Sequence, residues 1–186
     1  AGKSMSNEAA RTGELGGISV RDLNLYYGES QALKNVNMDI YPNEITAFIG
    51  PSGCGKSTTG RTMIKLYNPT SGNVYYDGKD IFKYNHAEQK EFCKKVQMIF
   101  QNPYSSLNPR MTVKDIVGEG LKQHGMSTKD ADAKVEQLLA TVGLNKDHMS
   151  RFPHEFSGGQ RQRIGIARAL SVDPEFIICD EPISAL

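Results

Sequence analysis

This sequence of 186 residues has little of what a membrane span, a disulfide scaffold or a polyanion-binding protein requires. No apolar run approaches the ~18 residues of a spanning helix, and no stretch has the form of a secretory signal. The three cysteines, Cys54, Cys93 and Cys179, are isolated, which is typical of a reducing compartment rather than of disulfide pairing. A net charge of +1 argues against nucleic-acid binding through bulk positive potential. If the protein acts at a membrane, other subunits must supply the spanning helices.

Periodicity predicts an α/β chain with a helical insertion. Alternating apolar residues predict strands near 18–25, 36–40 and 74–76, and the apolar runs 45–49, 96–100 and 176–179 predict buried strands. A helix is predicted at 57–66, and apolar residues at helical spacing predict further helices within 112–151. We therefore expect an α/β core at 18–101 and 152–186 with a helical subdomain at 102–151. Residues 1–17 are small, polar and aperiodic, and we expect a tag or flexible tail there.

Residues 50–57 fit the phosphate-binding motif G-x-x-x-x-G-K-[ST] between a predicted strand and a predicted helix. Its glycines allow backbone N–H groups to approach phosphate oxygens, and the positive end of the following helix points to the same place. Lys56 is expected to bridge the β- and γ-phosphates, and Ser57 to hold Mg²⁺ through its hydroxyl. The motif predicts a site for ATP or GTP. Its predicted contacts are Gly50, Pro51, Ser52, Gly53, Cys54, Gly55, Lys56, Ser57 and Thr58.

Two carboxylates, Asp180 and Glu181, directly follow the apolar strand predicted at 176–179. Ligands of parallel sheets bind at the carboxyl ends of the strands. Asp180 is expected to act on the Mg²⁺ shell, and Glu181 to polarise the attacking water as a general base. The alternative is a solvated acidic turn after a strand.

A second glycine-rich segment, Ser157-Gly158-Gly159-Gln160, is predicted to open a helix. Ser157 is a favourable N-cap, and the two glycines expose backbone N–H groups at the positive helix end, which favours an anion. The alternative is an ordinary glycine-rich helix start.

Together these motifs, in this order within 18–186, resemble the ATPase subunit of ABC transporters. The resemblance implies a RecA-like P-loop NTPase core with an N-terminal antiparallel β subdomain, and ATP with Mg²⁺ as ligands. It implies that Ser157, Gly158, Gly159 and Gln160 contact ATP bound to a second subunit. It also makes Gln101 the Q-loop residue, which touches Mg²⁺ or the catalytic water and relays the nucleotide state to the helical subdomain.

Tyr27 matches the family's aromatic residue that stacks on adenine. Tyr26 competes for this role, because strand alternation sends one ring inward and its neighbour outward. A packing role stays open for either ring.

The type of transporter is less sharply defined. Residues 101–111, 152–156 and 60–67 are similar to oligopeptide and dipeptide importer ATPases, whereas 20–28 and 46–53 look more like the phosphate-importer ATPase. We expect either a hybrid joined near 56–60 or a divergent peptide-importer subunit. A non-transport ABC protein would call for long coiled-coil heptads or a second P-loop, and this sequence contains neither.

The resemblance also implies partners and a location. They are a second ATPase subunit, identical or different, transmembrane permease subunits and, indirectly, an extracytoplasmic binding protein, with no nucleic acid. The location is the cytoplasmic face of the inner membrane. The family's pattern continues past Leu186 with an Asp and a switch His, so the 186-residue chain alone is expected to bind Mg·ATP weakly, to aggregate and not to turn ATP over.

Overall fold

The computed structural model describes residues 17–181. The tail predicted at 1–17 therefore lies almost wholly outside the described residues, as does the segment after Glu181. The chain divides between Phe92 and Cys93 into two units, which are described separately.

The first unit contains a four-stranded antiparallel sheet in the order β2-β1-β3-β4. Its strands are β1 (Ile18–Tyr27), β2 (Ser30–Ile40), β3 (Ser71–Tyr76) and β4 (Lys79–Asp80). Apolar residues of the first three strands, among them Val20, Leu33 and Val74, form the core. The antiparallel β subdomain expected at the N-terminal end is thus confirmed.

A bulge interrupts the alternation of β1. Val20 and Leu23 are both fully buried although they are three positions apart, an odd spacing that would put them on opposite faces of a regular strand, and the pairing with β2 shifts register between them. Asp22 takes up the extra residue with a left-handed φ of 49°. Gly72 of β3 lies against this bulge, where a Cβ atom would come within 2.4 Å of the Asp22 carbonyl oxygen. Only glycine therefore fits at position 72.

The strand predicted at 45–49 does not form. Residues 44–51 have no regular hydrogen-bonded structure, and the side chains of Ile45 and Ile49 are 102% and 95% exposed. The turn predicted at Pro42-Asn43 does form. The apolar composition of 45–49 predicts burial, but a strand also needs a neighbour for its ladder, and no strand of the described residues is paired with this segment. The prediction of a buried parallel strand here was wrong.

The helix α1 (Lys56–Met63) follows this segment, which confirms the helix predicted at 57–66 to within its ends. A second helix, α2 (His86–Lys95), was not predicted, because its sequence is polar and Phe92 is its only buried residue. The Phe92 ring meets Tyr76 and Tyr84 edge to face, at centroid distances of 5.4 and 5.6 Å.

The second unit combines a parallel strand pair with a helical cluster. Strand β5 (Val96–Ile99) pairs in parallel with β6 (Phe176–Cys179), and Val96 lies opposite Phe176. The helices are α3 (Val113–Gln123), α4 (Thr128–Thr141) and α5 (Gly158–Leu170). Their shared core includes Val117, Val135, Leu139 and Ile164.

Local capping signals set the helix ends here. Thr112 and Ser127 are N-caps that accept hydrogen bonds from Asp115 and Asp130, and Gly143 follows α4 with a φ of 76°. The Thr112 hydroxyl also donates to the carboxylate of Asp115, which lowers the pKa of that group. The helices predicted in this region are confirmed; the exact subdomain boundaries stay predictions. Within 17–181, no helix is both long and apolar enough to span a bilayer.

Candidate functional site

The glycine loop 50–55 belongs to the first unit and ends at the N-terminus of α1. Gly53 and Gly55 have φ values of 82° and 92°, and Gly55 is the N-cap of α1 with no side-chain cap bond. A Cβ atom on Gly55 would lie 2.9 Å from Leu33 Cδ2 and 3.0 Å from the Ala32 carbonyl oxygen. Both the left-handed backbone and the close approach of β2 therefore require glycine at position 55.

The Lys56 side chain folds back over this loop. Its ammonium donates to the carbonyl oxygens of Gly50 at 2.6 Å and Pro51 at 3.0 Å, and lies 3.6 Å from Cys54 Sγ. The charge is thus held beside the N-terminal end of α1, which itself carries partial positive charge. The two features concentrate positive potential at one point of the loop.

The hydroxyl residues that follow Lys56 line the start of α1. Ser57 and Thr58 are half-buried in the first turn, and the backbone oxygen of Thr58 accepts from the Thr62 hydroxyl at 2.8 Å. The Thr59 hydroxyl donates to the Gly55 carbonyl oxygen at 2.8 Å. These internal bonds fix the turn that presents Ser57.

The two candidate adenine-stacking tyrosines are both at the surface. Tyr26 is 44% and Tyr27 51% exposed, so the expected inward and outward alternation fails here. The cause is a register shift between Leu25 and Tyr26 just before the β1–β2 turn. The Tyr27 ring meets Tyr67 edge to face with centroids 6.0 Å apart.

The second unit brings two of the predicted catalytic residues together. Gln101 follows β5 and Glu181 closely follows β6, and the Gln101 amide Nε2 donates to Glu181 Oε2 at 2.7 Å. Asp180 is buried, and its backbone N–H extends the ladder by donating to the Ile99 carbonyl oxygen at 2.9 Å. The parallel pairing puts these groups at one edge of the strand pair, as expected from the sequence.

A reciprocal capping box fixes the start of α5. The Ser157 hydroxyl oxygen accepts from the Gln160 backbone N–H at 3.3 Å, and the Gln160 side chain accepts from the Ser157 N–H at 3.0 Å. Gly158 and Gly159 lie half-buried in the first turn. The helix N-terminus predicted at this segment is confirmed.

Sequence reasoning missed the contacts between α5 and the connector, residues 102–110. The Arg161 guanidinium lies 4.3 Å from the centroid of the Tyr104 ring, and Arg168 Nη1 donates to the Ser106 carbonyl oxygen at 2.6 Å. Burial lowers the pKa of Arg168, which nearby Glu119 opposes. The only signals in the sequence are one aromatic residue in a polar connector and two arginines off the apolar stripe of the helix.

The sequence also matches a known protein family. Residues 33–184 match the protein-family model described as ABC transporter. The chain belongs to the ABC transporter family.

Curated relatives of this ABC chain include peptide-transport proteins. It is 57% identical over 162 residues to the oligopeptide transport ATP-binding protein OppF of Bacillus subtilis (strain 168), a match that covers 86% of this chain and 53% of the relative. It is 51% identical over 178 residues to the dipeptide transport ATP-binding protein DppF of Lactococcus lactis subsp. cremoris (strain MG1363), covering 91% and 57%. The chain thus spans little more than half the length of these relatives.

Solved structures agree with the fold. The ATP-binding cassette MJ0796, in a dimeric post-hydrolysis state bound to ADP and Pi, superposes with a TM-score of 0.82 at 32% identity, covering 91% of this chain and 75% of that one. CbiO1 from Clostridium perfringens, part of the ABC transporter complex cbiONQ, gives 0.76 at 29% identity, covering 93% and 68%. The expected α/β P-loop NTPase fold class is confirmed.

The predicted Mg²⁺ ligands are one hydroxyl (Ser57), one amide (Gln101) and one carboxylate (Asp180). Oxygen donors of these types suit Mg²⁺, which retains several waters and needs few protein ligands. Ser57 lies in the first unit, and Gln101 and Asp180 lie in the second. The part of the chain that the structure describes contains no cluster of three or more His, Cys, Asp or Glu residues able to hold a metal ion, and the predicted set does not require one.

Proposed function

We propose that this ABC chain binds Mg·ATP and belongs to the ATP-hydrolysing subunit of an importer for peptides. The observation that carries the proposal is the glycine loop 50–55 at the start of α1, with the Lys56 ammonium folded over it. The peptide-transport names of the relatives support the substrate class.

Binding would use the positive potential of this loop. The Lys56 ammonium exchanges its bonds with the Gly50 and Pro51 carbonyl oxygens for bonds to the β- and γ-phosphates. Backbone N–H groups of the loop and of the first helical turn supply further donors, and Thr58 adds a contact. Adenine stacks on Tyr27, whose exposed ring leaves a face open.

Hydrolysis would use the pair Gln101–Glu181. The Glu181 carboxylate accepts the proton of a water as its oxygen attacks the γ-phosphorus, and the bond from that phosphorus to ADP breaks. The hydrogen bond from Gln101 at 2.7 Å orients the carboxylate. Mg²⁺, held by Ser57, Gln101 and Asp180, would neutralise charge on the phosphate oxygens.

The proposal includes a dimer. Ser157, Gly158, Gly159 and Gln160 contact the γ-phosphate of ATP held by a second ABC subunit, identical or different. The dimeric state of the MJ0796 cassette supports this arrangement. Such a dimer works beneath transmembrane permease subunits on the cytoplasmic face of the membrane, and an extracytoplasmic binding protein delivers the ligand to those permeases.

Two alternatives stay open as outcomes of experiment. The first is a phosphate importer, suggested by the sequence before the P-loop; because the matches to peptide-transport proteins cover up to 91% of the chain, they extend into that part as well. The hybrid origin stays a prediction. The second alternative is nucleotide binding without turnover.

Replacement of Lys56 by Ala tests the binding site. Charge-assisted hydrogen bonds contribute ~1.5–3 kcal/mol each, so we expect ATP affinity measured by calorimetry to fall at least about tenfold. Lys34→Ala, an exposed lysine on β2, is the matched control and should bind ATP normally. Unchanged affinity in the Lys56→Ala protein would refute the phosphate-binding assignment.

Replacement of Glu181 by Gln separates binding from turnover. The amide cannot accept the proton, so in a complete chain phosphate release should fall by ~10²-fold or more while ATP affinity is retained. Glu136→Gln, which removes a half-buried charge on α4 that pairs with Lys146, is the control. Absence of Lys56-dependent phosphate release from the complete, unaltered chain would favour the alternative of binding without turnover.

A further inference from the structure

Two tyrosines from different parts of the first unit meet near the β1–β2 turn. Tyr27 ends β1 and is 51% exposed, whereas Tyr67 follows α1 and is half-buried. Their ring centroids are 6.0 Å apart, and the ring planes are nearly perpendicular, at 87°. Edge-to-face contact of this kind is a favoured arrangement of aromatic pairs. Tyr67 therefore restricts the Tyr27 ring, which the strand itself leaves exposed.

The hydroxyl end of Tyr67 is held by α1. The Arg61 Nη1 atom donates to the Tyr67 hydroxyl oxygen at 3.2 Å, and both side chains are half-buried. The Tyr67 ring thus has a fixed polar partner at its hydroxyl and an aromatic partner in Tyr27. Its orientation is set by these two contacts together.

A Schellman motif fixes the chain between α1 and Tyr67. Lys65 has a left-handed φ of 61°, and its N–H donates to the Thr62 carbonyl oxygen at 3.0 Å. The N–H of Leu66 donates to the Arg61 carbonyl oxygen at 2.9 Å, which completes the motif. Because the glycine loop lies at the other end of α1, one helix carries both the loop and Tyr67.

The segment after Tyr67 is fixed to β1. The Thr70 N–H donates to the Asn24 carbonyl oxygen at 2.8 Å, and the Thr70 hydroxyl accepts from the Tyr26 backbone N–H at 3.1 Å. Tyr67 is therefore held on both sides, by α1 before it and by the end of β1 after it. A ring supported in this way can fix the orientation of Tyr27.

We propose that Tyr67 is a positioning residue for nucleotide binding, which holds the Tyr27 ring in the orientation that stacks on the base. This inference rests on the proposed function, in which adenine stacks on Tyr27 and the glycine loop binds the phosphates. A ring that is already held loses less conformational entropy when a base stacks on it. Tyr67 therefore strengthens binding of the base and leaves binding of the phosphates unchanged.

The test is calorimetry on the complete chain with Mg²⁺, which compares ATP with inorganic tripolyphosphate, a ligand that has phosphates but no base. Tyr67→Ala should weaken ATP binding about two- to tenfold, the size expected when an aromatic pair is lost, and leave tripolyphosphate binding unchanged. Tyr67→Phe keeps the ring contact and should bind ATP within about twofold of the unaltered protein. Leu66→Ala, which truncates the adjacent, 54% exposed side chain, is the matched control and should bind both ligands normally.

A double-mutant cycle separates positioning from direct contact with the base. Tyr27→Ala removes the stacking ring and should weaken ATP binding at least about fivefold. Adding Tyr67→Ala to that variant should weaken binding no further, because Tyr67 acts only through Tyr27. A further loss in the double variant would show that Tyr67 acts independently of Tyr27 and would refute the positioning role.

Tripolyphosphate distinguishes failure of this inference from failure of the proposed function. If the unaltered protein binds tripolyphosphate through Lys56, normal ATP affinity in Tyr67→Ala, or an equal loss of both ligands, would refute the positioning role and leave the proposed function standing. Tripolyphosphate binding that is unchanged in Lys56→Ala would instead refute the proposed phosphate site, and the inference with it.

Discussion

The glycine loop before α1 and the glycine pair at the start of α5 both present backbone N–H groups at a helix N-terminus, but different forces hold them. The α5 start has a reciprocal capping box and a buried stripe behind it that includes Ile164. The α1 start has a glycine cap without a side-chain bond, preceded by apolar residues that face solvent. Local contacts thus shape the α5 turn in advance, whereas the P-loop depends on the left-handed glycines and on Lys56.

This difference has a functional consequence under the proposed mechanism. A preformed turn at α5 offers a fixed anion site to a partner subunit, so little conformational entropy is lost on association. The P-loop, whose own lysine occupies the loop carbonyls, rearranges when phosphates replace those bonds. We therefore expect the larger ligand-dependent change at the P-loop.

The largest difference in stability between the two regions should come from replacing one isoleucine in each by alanine. Ile164 on α5 is fully buried, and Ile164→Ala should lower the free energy of unfolding by ~2–5 kcal/mol through lost burial and a cavity. Ile49→Ala, at a 95% exposed position, should change it by no more than ~0.5 kcal/mol. Urea denaturation measures both. A large loss in Ile49→Ala would mean that 45–49 is buried in solution, contrary to this structure.

The wrong prediction of a buried strand at 45–49 shows that the sequence predicts local features of this fold but not strand pairing. The helices α3, α4 and α5 could be predicted because their caps and apolar spacing are local, as with Thr112 and Ser157. Strand β6 was predicted to the residue, because an apolar run bounded by polar residues is also local. Pairing is not local, and nothing within 45–49 specifies which strand should supply its ladder.

In the candidate site, too, some features could be predicted from the sequence and others could not. The places of Gln101 and Glu181, each after an apolar strand, could be predicted from the sequence, and the parallel pairing of β5 and β6 then brings their side chains together across 80 residues. The contact between Tyr104 and Arg161 could not be predicted, because it depends on how the connector folds onto α5. Strand alternation did not predict the exposure of both Tyr26 and Tyr27, because the register shift between Leu25 and Tyr26 has no signature in the residue types.

Replacing Gly55, before α1, and Gly158, in the first turn of α5, by alanine should change the free energy of unfolding by different amounts, both smaller than the loss expected for Ile164→Ala. Gly55→Ala combines a positive φ with close contacts to the Leu33 side chain and the Ala32 backbone, so it should destabilise the fold by ~1–3 kcal/mol. Gly158→Ala meets only the exposed Tyr104 side chain, which can move, and gains helix propensity. Its change should stay within ~0.5 kcal/mol. Thermal unfolding compares the two, and equal losses would mean that the α5 turn is as constrained as the P-loop.

The smallest expected effect concerns pH and is confined to the first unit. Burial, followed by the charges of Asp77, Glu88 and Asp80, raises the pKa of Tyr84 to about 12 from an ordinary value of 10.0. The unfolded chain therefore loses this proton at lower pH than the folded protein does. The stabilisation from the neutral hydroxyl is complete below pH 10 and is lost as pH rises from 10 toward 12.

Tyr84→Phe should remove this alkaline dependence, because phenylalanine has no proton to lose. Urea midpoints measured from pH 9 to 11 should fall less steeply in Tyr84→Phe than in the unaltered protein, by an amount below about 1 kcal/mol since the ring is only partly buried. Tyr75→Phe, in the neighbouring strand β3, controls for loss of a tyrosine hydroxyl and should keep the steeper fall. Parallel pH profiles for the Tyr84→Phe and unaltered proteins would show that the Tyr84 hydroxyl ionises alike in the folded and unfolded chain, and that the cluster with Tyr76 and Phe92 does not shield it.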